Sequence, residues 1–304
     1  MSKPSLIRIW VSAARLRTLP LSMAGIITGN ALAAQRPFLS WVLFGSTLLT
    51  AISLQILSNF ANDYGDGIKG TDNENRIGPK RVLQQKLLST ATLFRGIVVT
   101  AIISMGMAVT TIFLAFGDSE ITSSLVFFGL GLGAIAAAYK YTAGKRAYGY
   151  RALGDVFVFM FFGLLAVCGS YFLQTKEFNT AVWWFALTMG CLSVGVLNLN
   201  NMRDIENDTA VGKKTVAAIL GIVLAKNYQG ILMLISCTSL TLGVVEIAQN
   251  RWHFLPLLAL MPLGIHVLKM FRIKDHADFD NLLKPLALTT FLISLILFAT
   301  QHLF

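Results

Sequence analysis

The sequence predicts an all-α integral membrane protein, a single domain over 1–304 with nine transmembrane helices. Three observations carry this. Of the 304 residues, 55% are hydrophobic and only 13% are charged, with a mean hydropathy of +0.66, a balance no ordinary soluble domain has. Several apolar runs reach the roughly 20 residues that a bilayer crossing needs. The basic residues fall almost entirely in alternate connections between those runs.

The runs lie at about 19–36, 40–62, 93–116, 121–139, 155–173, 180–200, 228–248, 254–271 and 286–303. The segment before them, Met1–Thr18, is polar and basic, with no early apolar core or cleavage site, so it is not read as a removable signal peptide. The net charge of +10 does not point to nucleic acid once its placement is considered. Assigning connections to alternate sides puts 22 of the 25 Lys and Arg on one face and leaves only Arg36, Lys176 and Arg251 on the other. Positive residues mark the cytoplasmic side, which predicts a cytoplasmic N-terminus and, with nine spans, an external C-terminus. Cys168, Cys191 and Cys237 lie inside apolar runs without paired spacing and read as small core residues.

Two polar stretches at span ends carry the chemistry. The first runs Asn62-Asp63-Tyr64-Gly65-Asp66 through Lys69-Gly70-Thr71-Asp72; the second runs Asn200-Asn201-Met202-Arg203-Asp204 to Asp208. Asn62 and Asp66 are four residues apart, as are Asn200, Asp204 and Asp208, and on a helix steps of four keep side chains on one face. The clusters hold 7 of the 15 acids, in windows that the charge pattern places on the same side of the membrane. Acids at a bilayer are costly unless paired or metal-bound. Oxygen-only ligands suit a hard cation such as Mg²⁺, which commonly bridges to phosphate. Asn62, Asp66, Asp72, Asn200, Asp204 and Asp208 are therefore the candidate metal ligands, with a diphosphate held between the clusters. Long polar connections, roughly 63–92 and 201–227, surround these motifs.

Cations accompany the acids. Lys69, Arg76, Lys80 and Arg81 follow the first cluster; Arg203, Lys213 and Lys214 belong to the second. Part of this is the bias toward positive cytoplasmic loops, but Arg forks and Lys point charges also clamp phosphate oxygens. Arg76 and Lys80 are the preferred clamps, with Lys69, Arg203, Lys213 and Lys214 as further candidates. Four of the seven Tyr crowd between Tyr139 and Tyr150. Tyr148 and Tyr150 read as interfacial anchors. Tyr141 and Lys145 read as functional, since an aromatic face stabilises a developing cation. Gly65-Asp66-Gly67-Ile68-Lys69-Gly70 matches a dinucleotide-binding pattern, but a span rather than a strand precedes it. Gly25 and Gly29 have the spacing of helix-packing residues. The scattered His253, His266, His276 and His302 argue against a His-centred metal site.

These motifs together resemble the UbiA-type intramembrane aromatic prenyltransferases. Within them, Leu57–Tyr64 with Asp66, Gly70 and Asp72, then Arg76–Pro79, Tyr148–Tyr150 with Gly154-Asp155, and Gly212–Thr215 are similar to the branch acting on 1,4-dihydroxy-2-naphthoate. Arg15-Leu16-Arg17-Thr18-Leu19-Pro20 departs from that branch's pattern, and Arg17 is carried over as an acceptor-binding candidate. The resemblance implies helices around a central cavity capped by cytoplasmic loops, in a bacterial inner membrane. It implies transfer of a polyprenyl group from polyprenyl diphosphate to 1,4-dihydroxy-2-naphthoate, with loss of diphosphate and CO2 to give demethylmenaquinone. On that reading Mg²⁺ and the Lys/Arg clamps neutralise the leaving diphosphate. The aromatic ring then attacks the allylic cation, with Asp63 or Asp204 as proton acceptor beside Asp66. A 4-hydroxybenzoate or chlorophyll-type acceptor is the rival within the enzyme class. A transporter is the rival outside it, but transporters place ionisable groups at mid-span rather than at span ends.

Overall fold

A bilayer core has no water to satisfy backbone groups, so apolar runs must close their hydrogen bonds within helices. The computed structural model describes residues 5–34, 39–74 and 76–303, and within these it does so almost throughout. The long helices are α3 Trp41–Lys69, α4 Thr90–Phe116, α5 Ile121–Lys140, α8 Thr180–Arg203 and α10 Val216–Ile247. Between α5 and α8, α6 Gly154–Val158, a π-helical stretch Phe159–Gly169 and α7 Ser170–Thr175 make one continuous span. A 3₁₀ turn, Arg251–Ala259, leads into α11 Leu260–Arg272, and another, His276–Phe279, into α12 Asp280–Leu303. Eight of these described segments are long and apolar enough to cross a membrane. The first expected span forms the 15-residue apolar helix α2 Leu19–Ala33; its remaining end, with Arg36, lies outside the described residues.

Side-chain caps set several helix starts. Ser40, Ser89, Asn179 and Thr215 each accept a hydrogen bond from the backbone N–H three residues on, satisfying a donor the helix cannot. Thr215 starts α10 well before the expected 228, and Gly221, at φ 74°, kinks it. The polar connections are accordingly shorter than expected. The first is 70–89, and the second is largely filled by the short helix α9 Ile205–Ala210. The N-terminal basic segment is also helical: α1 Leu6–Ala14 is amphipathic, burying Ala13 and Ala14 while Leu6, Ile7 and Val11 stay exposed. Such a helix suits the membrane interface.

Helix α8 is the central post. Phe185, Met189, Leu192, Leu199 and Met202 along it are fully buried among α2, the π-helical stretch, α10 and α12. Close approach relies on glycine, because lipid gives no hydrophobic drive for helices to associate. A Cβ on Gly25 would sit 2.6 Å from both Ala166 Cβ and the Phe162 carbonyl, and one on Gly29 would collide with Ser170 and Val167. The expected packing role of that pair holds.

The connections that the charge pattern assigns to one face do meet there. Asn207 Nδ2 donates to the Thr71 carbonyl at 3.0 Å, the Ala152 amide donates to the Lys214 carbonyl at 2.7 Å, and Arg203 Nη1 donates to Asp280 Oδ1 at 2.5 Å.

Candidate active site

The first cluster is presented by the end of α3. The helix persists through Lys69, so Asn62 and Asp66 do share a face, and Gly70, at φ 73°, closes it in the left-handed conformation that glycine adopts without strain. Asp72 lies beyond the helix, where the turned chain brings it back toward the same centre. Arg81 fills that centre. Its Nη1 donates to Asp66 Oδ2 at 2.6 Å and to the Asn62 carbonyl at 3.0 Å, while Nε lies 3.2 Å from Asp72 Oδ1 and 3.7 Å from Asp63 Oδ1. Arg15, held in the left-handed region at the end of α1, donates to Asp63. The segment after α5 seats directly on the motif: a Cβ on Gly65 would lie 2.5 Å from the Thr142 carbonyl carbon, and Thr142 Oγ1 donates to the Ala61 carbonyl.

The second cluster spans the junction of α8 and α9. Arg203, 1% exposed, donates from Nη2 to Asp204 Oδ2 at 2.6 Å and to Asn200 Oδ1 at 2.8 Å. Lys213 reaches Asp208 Oδ1 at 3.4 Å. Arg76 joins the clusters, its Nε 3.4 Å from Asp72 Oδ1 and 3.9 Å from Asp204 Oδ2. Gly78 passes between two guanidiniums, where a Cβ would lie 2.5 Å from Arg203 Nη2 and 2.7 Å from Arg76 Nη2.

Electrostatics divides these acids. Burial alone would raise Asp204, but its hydrogen bonds and charge pairing with Arg203, and Arg76 beyond, hold it below the usual carboxylate range. Burial raises Asp72 and Asp208, and their cations, Arg81 and Lys213 respectively, offset it only in part. Arg81 is held above its ordinary value: burial opposes its charge, but Asp66 and Asp72 outweigh it. Both carboxylate oxygens of Asp72 and Oδ2 of Asp208 are buried without a hydrogen bond. An added cation is therefore most favourable at those two acids. The all-oxygen donor set fits Mg²⁺. Among the described residues no three acids converge on one point, because Arg76, Arg81 and Lys213 lie between them. That suits a cation that takes one or two carboxylates and completes its shell with water and phosphate.

Below the clusters opens a cavity of about 1250 Å³. Asn62, Asp63, Asp66, Arg81 and Lys213 line its polar end, whereas Leu54, Ile112, Phe127, Phe161 and Leu165 line the part between the spans. Tyr141 and Tyr148 form an aromatic wall of this cavity, edge-to-face at 5.3 Å, and Tyr148 stacks on Phe157 at 3.9 Å. A charged mouth over a largely apolar chamber is complementary to a molecule with an anionic head and a long hydrocarbon tail.

Comparison with known proteins agrees with this shape. Residues 22–298 match the UbiA prenyltransferase family. The chain belongs to that family. It is 37% identical over 292 residues to a 1,4-dihydroxy-2-naphthoate octaprenyltransferase of Haemophilus influenzae, covering 95% of this chain and 94% of that one. It is 39% identical over 252 residues to the protein of the same name in Escherichia coli, covering 82% and 80%. Among solved structures it resembles a UbiA homologue of Archaeoglobus fulgidus bound to DMAPP and Mg²⁺, with a TM-score of 0.65 and 16% identity over 95% of this chain and 99% of that one. An apo UbiA homologue of Aeropyrum pernix gives a TM-score of 0.68 at 13% identity, over 97% and 98%. These likenesses establish the multi-pass UbiA fold.

Within this UbiA chain, the residues singled out by sequence divide into groups. Asn62, Asp63, Asp66, Arg76, Lys80, Tyr141, Asn200 and Lys213 line the cavity. Asp72, Asp204, Asp208 and Arg203 stand behind them, paired to one another or to lining groups. Arg17 borders the cavity from an exposed position at the α1–α2 turn. Lys69, Lys145 and Lys214 are exposed and do not line it. Three further residues belong to the site beyond those the sequence singles out. Arg81, in sequence one nearby cation among several, pairs with Asp63, Asp66 and Asp72, which Lys80 does not. Arg15, in sequence only part of the N-terminal motif, donates to Asp63. Tyr150, read as an anchor, donates its hydroxyl to Asp66 Oδ1 at 2.7 Å. Burial, with Asp66 beside it, pushes that phenol well above its usual range, which keeps it a donor. The crowding of Tyr between 139 and 150 was the available signal.

Proposed function

We propose that the protein transfers a polyprenyl group from polyprenyl diphosphate to 1,4-dihydroxy-2-naphthoate, releasing diphosphate and CO2 and leaving the reduced, quinol form of demethylmenaquinone. The carrying observation is the paired acidic clusters over an apolar chamber, in a UbiA chain whose relatives at 37% and 39% identity are named for this reaction. The Archaeoglobus homologue bound to DMAPP and Mg²⁺ supports prenyl diphosphate as the donor and Mg²⁺ as the cofactor.

Asn62, Asp66 and Asp72 on one side and Asn200, Asp204 and Asp208 on the other would hold Mg²⁺, which supplies Lewis-acid neutralisation of the diphosphate when bound. Arg76, Lys80 and Lys213 face the same charge from the protein, and Lys69, Arg203 and Lys214 add to the field around it. As the C–O bond breaks, the bonding pair leaves with diphosphate, and the allylic cation remains against Tyr141, Tyr148 and Phe157. The apolar walls exclude water that would otherwise capture it. The naphthol ring supplies the electron pair for the new C–C bond, and the electrons of the carboxylate's C–C bond return to the ring as CO2 departs. Asp63 lines the cavity and is the better placed of the two expected proton acceptors, since Asp204 stands behind Arg203 and Arg76. Asp63 would take the naphthol O–H proton as the ring attacks and return it as CO2 departs, with no net proton lost. Arg15 and Arg17, at the same wall, offer positive charge to the acceptor's carboxylate.

The protein sits in a bacterial inner membrane with nine spans, the N-terminus and both clusters cytoplasmic and the C-terminus outside. Cysteines placed near Gly78 and Gly212 are then protected from an impermeant reagent in intact cells, and labelling of both from outside reverses the orientation. The acceptor is tested with purified membranes, labelled polyprenyl diphosphate and Mg²⁺. The reading requires kcat/KM for 1,4-dihydroxy-2-naphthoate to exceed that for 4-hydroxybenzoate, because specificity is differential transition-state binding. The opposite preference replaces the acceptor and leaves prenyl transfer standing.

A further inference from the structure

Tyr150 belongs to neither acidic cluster, yet it touches both. Its hydroxyl bonds Asp66 Oδ1 at 2.7 Å and Thr71 Oγ1, beside the first cluster. Its ring carries Lys69 Nζ 4.0 Å from the centroid and Lys213 Nζ 5.6 Å from it. Lys213 in turn pairs with Asp208 of the second cluster. Two ammonium groups beside one ring repel each other, and the ring's negative face together with the two carboxylates offsets that.

The ring is held firmly. Tyr150 ends a 3₁₀ turn, Tyr148–Tyr150, that packs on Tyr141; a Cβ on Gly149 would lie 2.7 Å from the Tyr141 carbonyl. The next residues pair with the chain beside Lys213, through the Arg151–Lys214 bridge and the 2.7 Å bond from the Ala152 amide to the Lys214 carbonyl. Thr71 ties the hydroxyl to the loop after α3. A free lysine loses rotamer entropy when it is fixed, and one already resting on a ring has lost part of that before a ligand arrives.

We infer that Tyr150 is a positioning residue for the diphosphate. It is an aromatic shelf that holds one lysine from beside each cluster: Lys213, which lines the cavity, meets the non-bridging oxygens of the ligand, and Lys69, off the cavity wall, adds its charge from behind the ring. The inference rests on the prenyl diphosphate reading above. It gives a role to Lys69, which is exposed and off the cavity wall, and it gives Tyr150 a role beyond the expected interfacial anchoring.

The test is calorimetric binding of inorganic diphosphate, with Mg²⁺, to the purified full-length protein in lipid nanodiscs. Wild type is compared with Tyr150→Phe, Tyr150→Leu and Tyr150→Met, and KM for the aromatic acceptor is measured on each. Leu and Met remove the ring face and weaken diphosphate binding roughly 3- to 30-fold, the range expected of cation–π contacts. Phe keeps the ring and stays within about threefold of wild type. Acceptor KM is unchanged in all three. In a Lys213→Met background Tyr150→Leu costs less than it does alone, since the lysine it positions is gone. Wild-type affinity in both Leu and Met variants overturns the inference, as does a loss in Phe equal to that in Leu. A parallel rise in acceptor KM also overturns it, by showing a merely structural role. A wild-type protein that binds no diphosphate overturns the functional reading itself, which is a separate outcome.

Discussion

The two acidic clusters have similar spacing but are neutralised differently. In the first, most partners come from outside the motif: Arg15 reaches Asp63 from α1, and Arg81 reaches Asp63, Asp66 and Asp72 from the loop after α3, with Arg76 beside Asp72. All three arginines line the cavity. In the second, the closest partners are local: Arg203 is adjacent to Asp204, and Lys213 follows Asp208 by five residues, while Arg76 reaches Asp204 only at 3.9 Å. Arg203 is fully buried and also fastens Asp280 at the start of α12. The first cluster is thus assembled by the fold around the chamber, whereas the second is partly a structural joint. Similar sequence spacing does not imply similar energetic roles.

The largest expected effect treats both clusters alike. Thorough chelation should abolish transfer, and Mg²⁺ should restore it; full turnover after chelation with no metal restored would sink the metal reading. Next, Asp66→Asn and Asp204→Asn should each lower kcat by roughly a hundredfold or more, as loss of one preorganised electrostatic group does. Size-exclusion profiles in detergent should show both variants folded. Near-normal rates in both would reduce the clusters to structural roles.

The arginines separate the clusters more finely. Removing one partner of a buried ion pair costs about 3–5 kcal/mol, so Arg203→Gln should markedly lower the thermal midpoint. Arg81→Gln should instead act on turnover, by about tenfold or more, with a smaller change in midpoint because Arg15 still pairs with Asp63, Arg76 with Asp72, and the Tyr150 hydroxyl with Asp66. A catalytic defect without destabilisation in Arg203→Gln would erase the distinction.

Much of this was legible in the sequence. The apolar runs marked the helices, because in lipid nothing else satisfies the backbone. The four-residue steps at Asn62–Asp66 read correctly as one helix face, since α3 continues through them. The start of α10 was missed because Lys226 looks like loop. Its Nζ instead reaches the Ile273 carbonyl at 2.5 Å, which lets the helix keep a charged residue. The amphipathic α1 was hidden by attention to its charge alone. Arg15, Arg81 and Tyr150 were beyond reach for a different reason: each meets its acid across 15 to 84 residues of chain, and only the folded helices show that the segments adjoin. Local pairs such as Lys213 with Asp208 carried their own signal.

The central claim is that both clusters act on one diphosphate. It is tested most directly by single-turnover rates of Asp66→Asn, Asp204→Asn and the double variant, with labelled polyprenyl diphosphate and 1,4-dihydroxy-2-naphthoate. Groups that work as a unit are strongly non-additive. The account predicts that the double variant is little slower than the slower single one. A double variant whose loss is the full product of the two single losses would show the clusters acting independently, and would contradict the account.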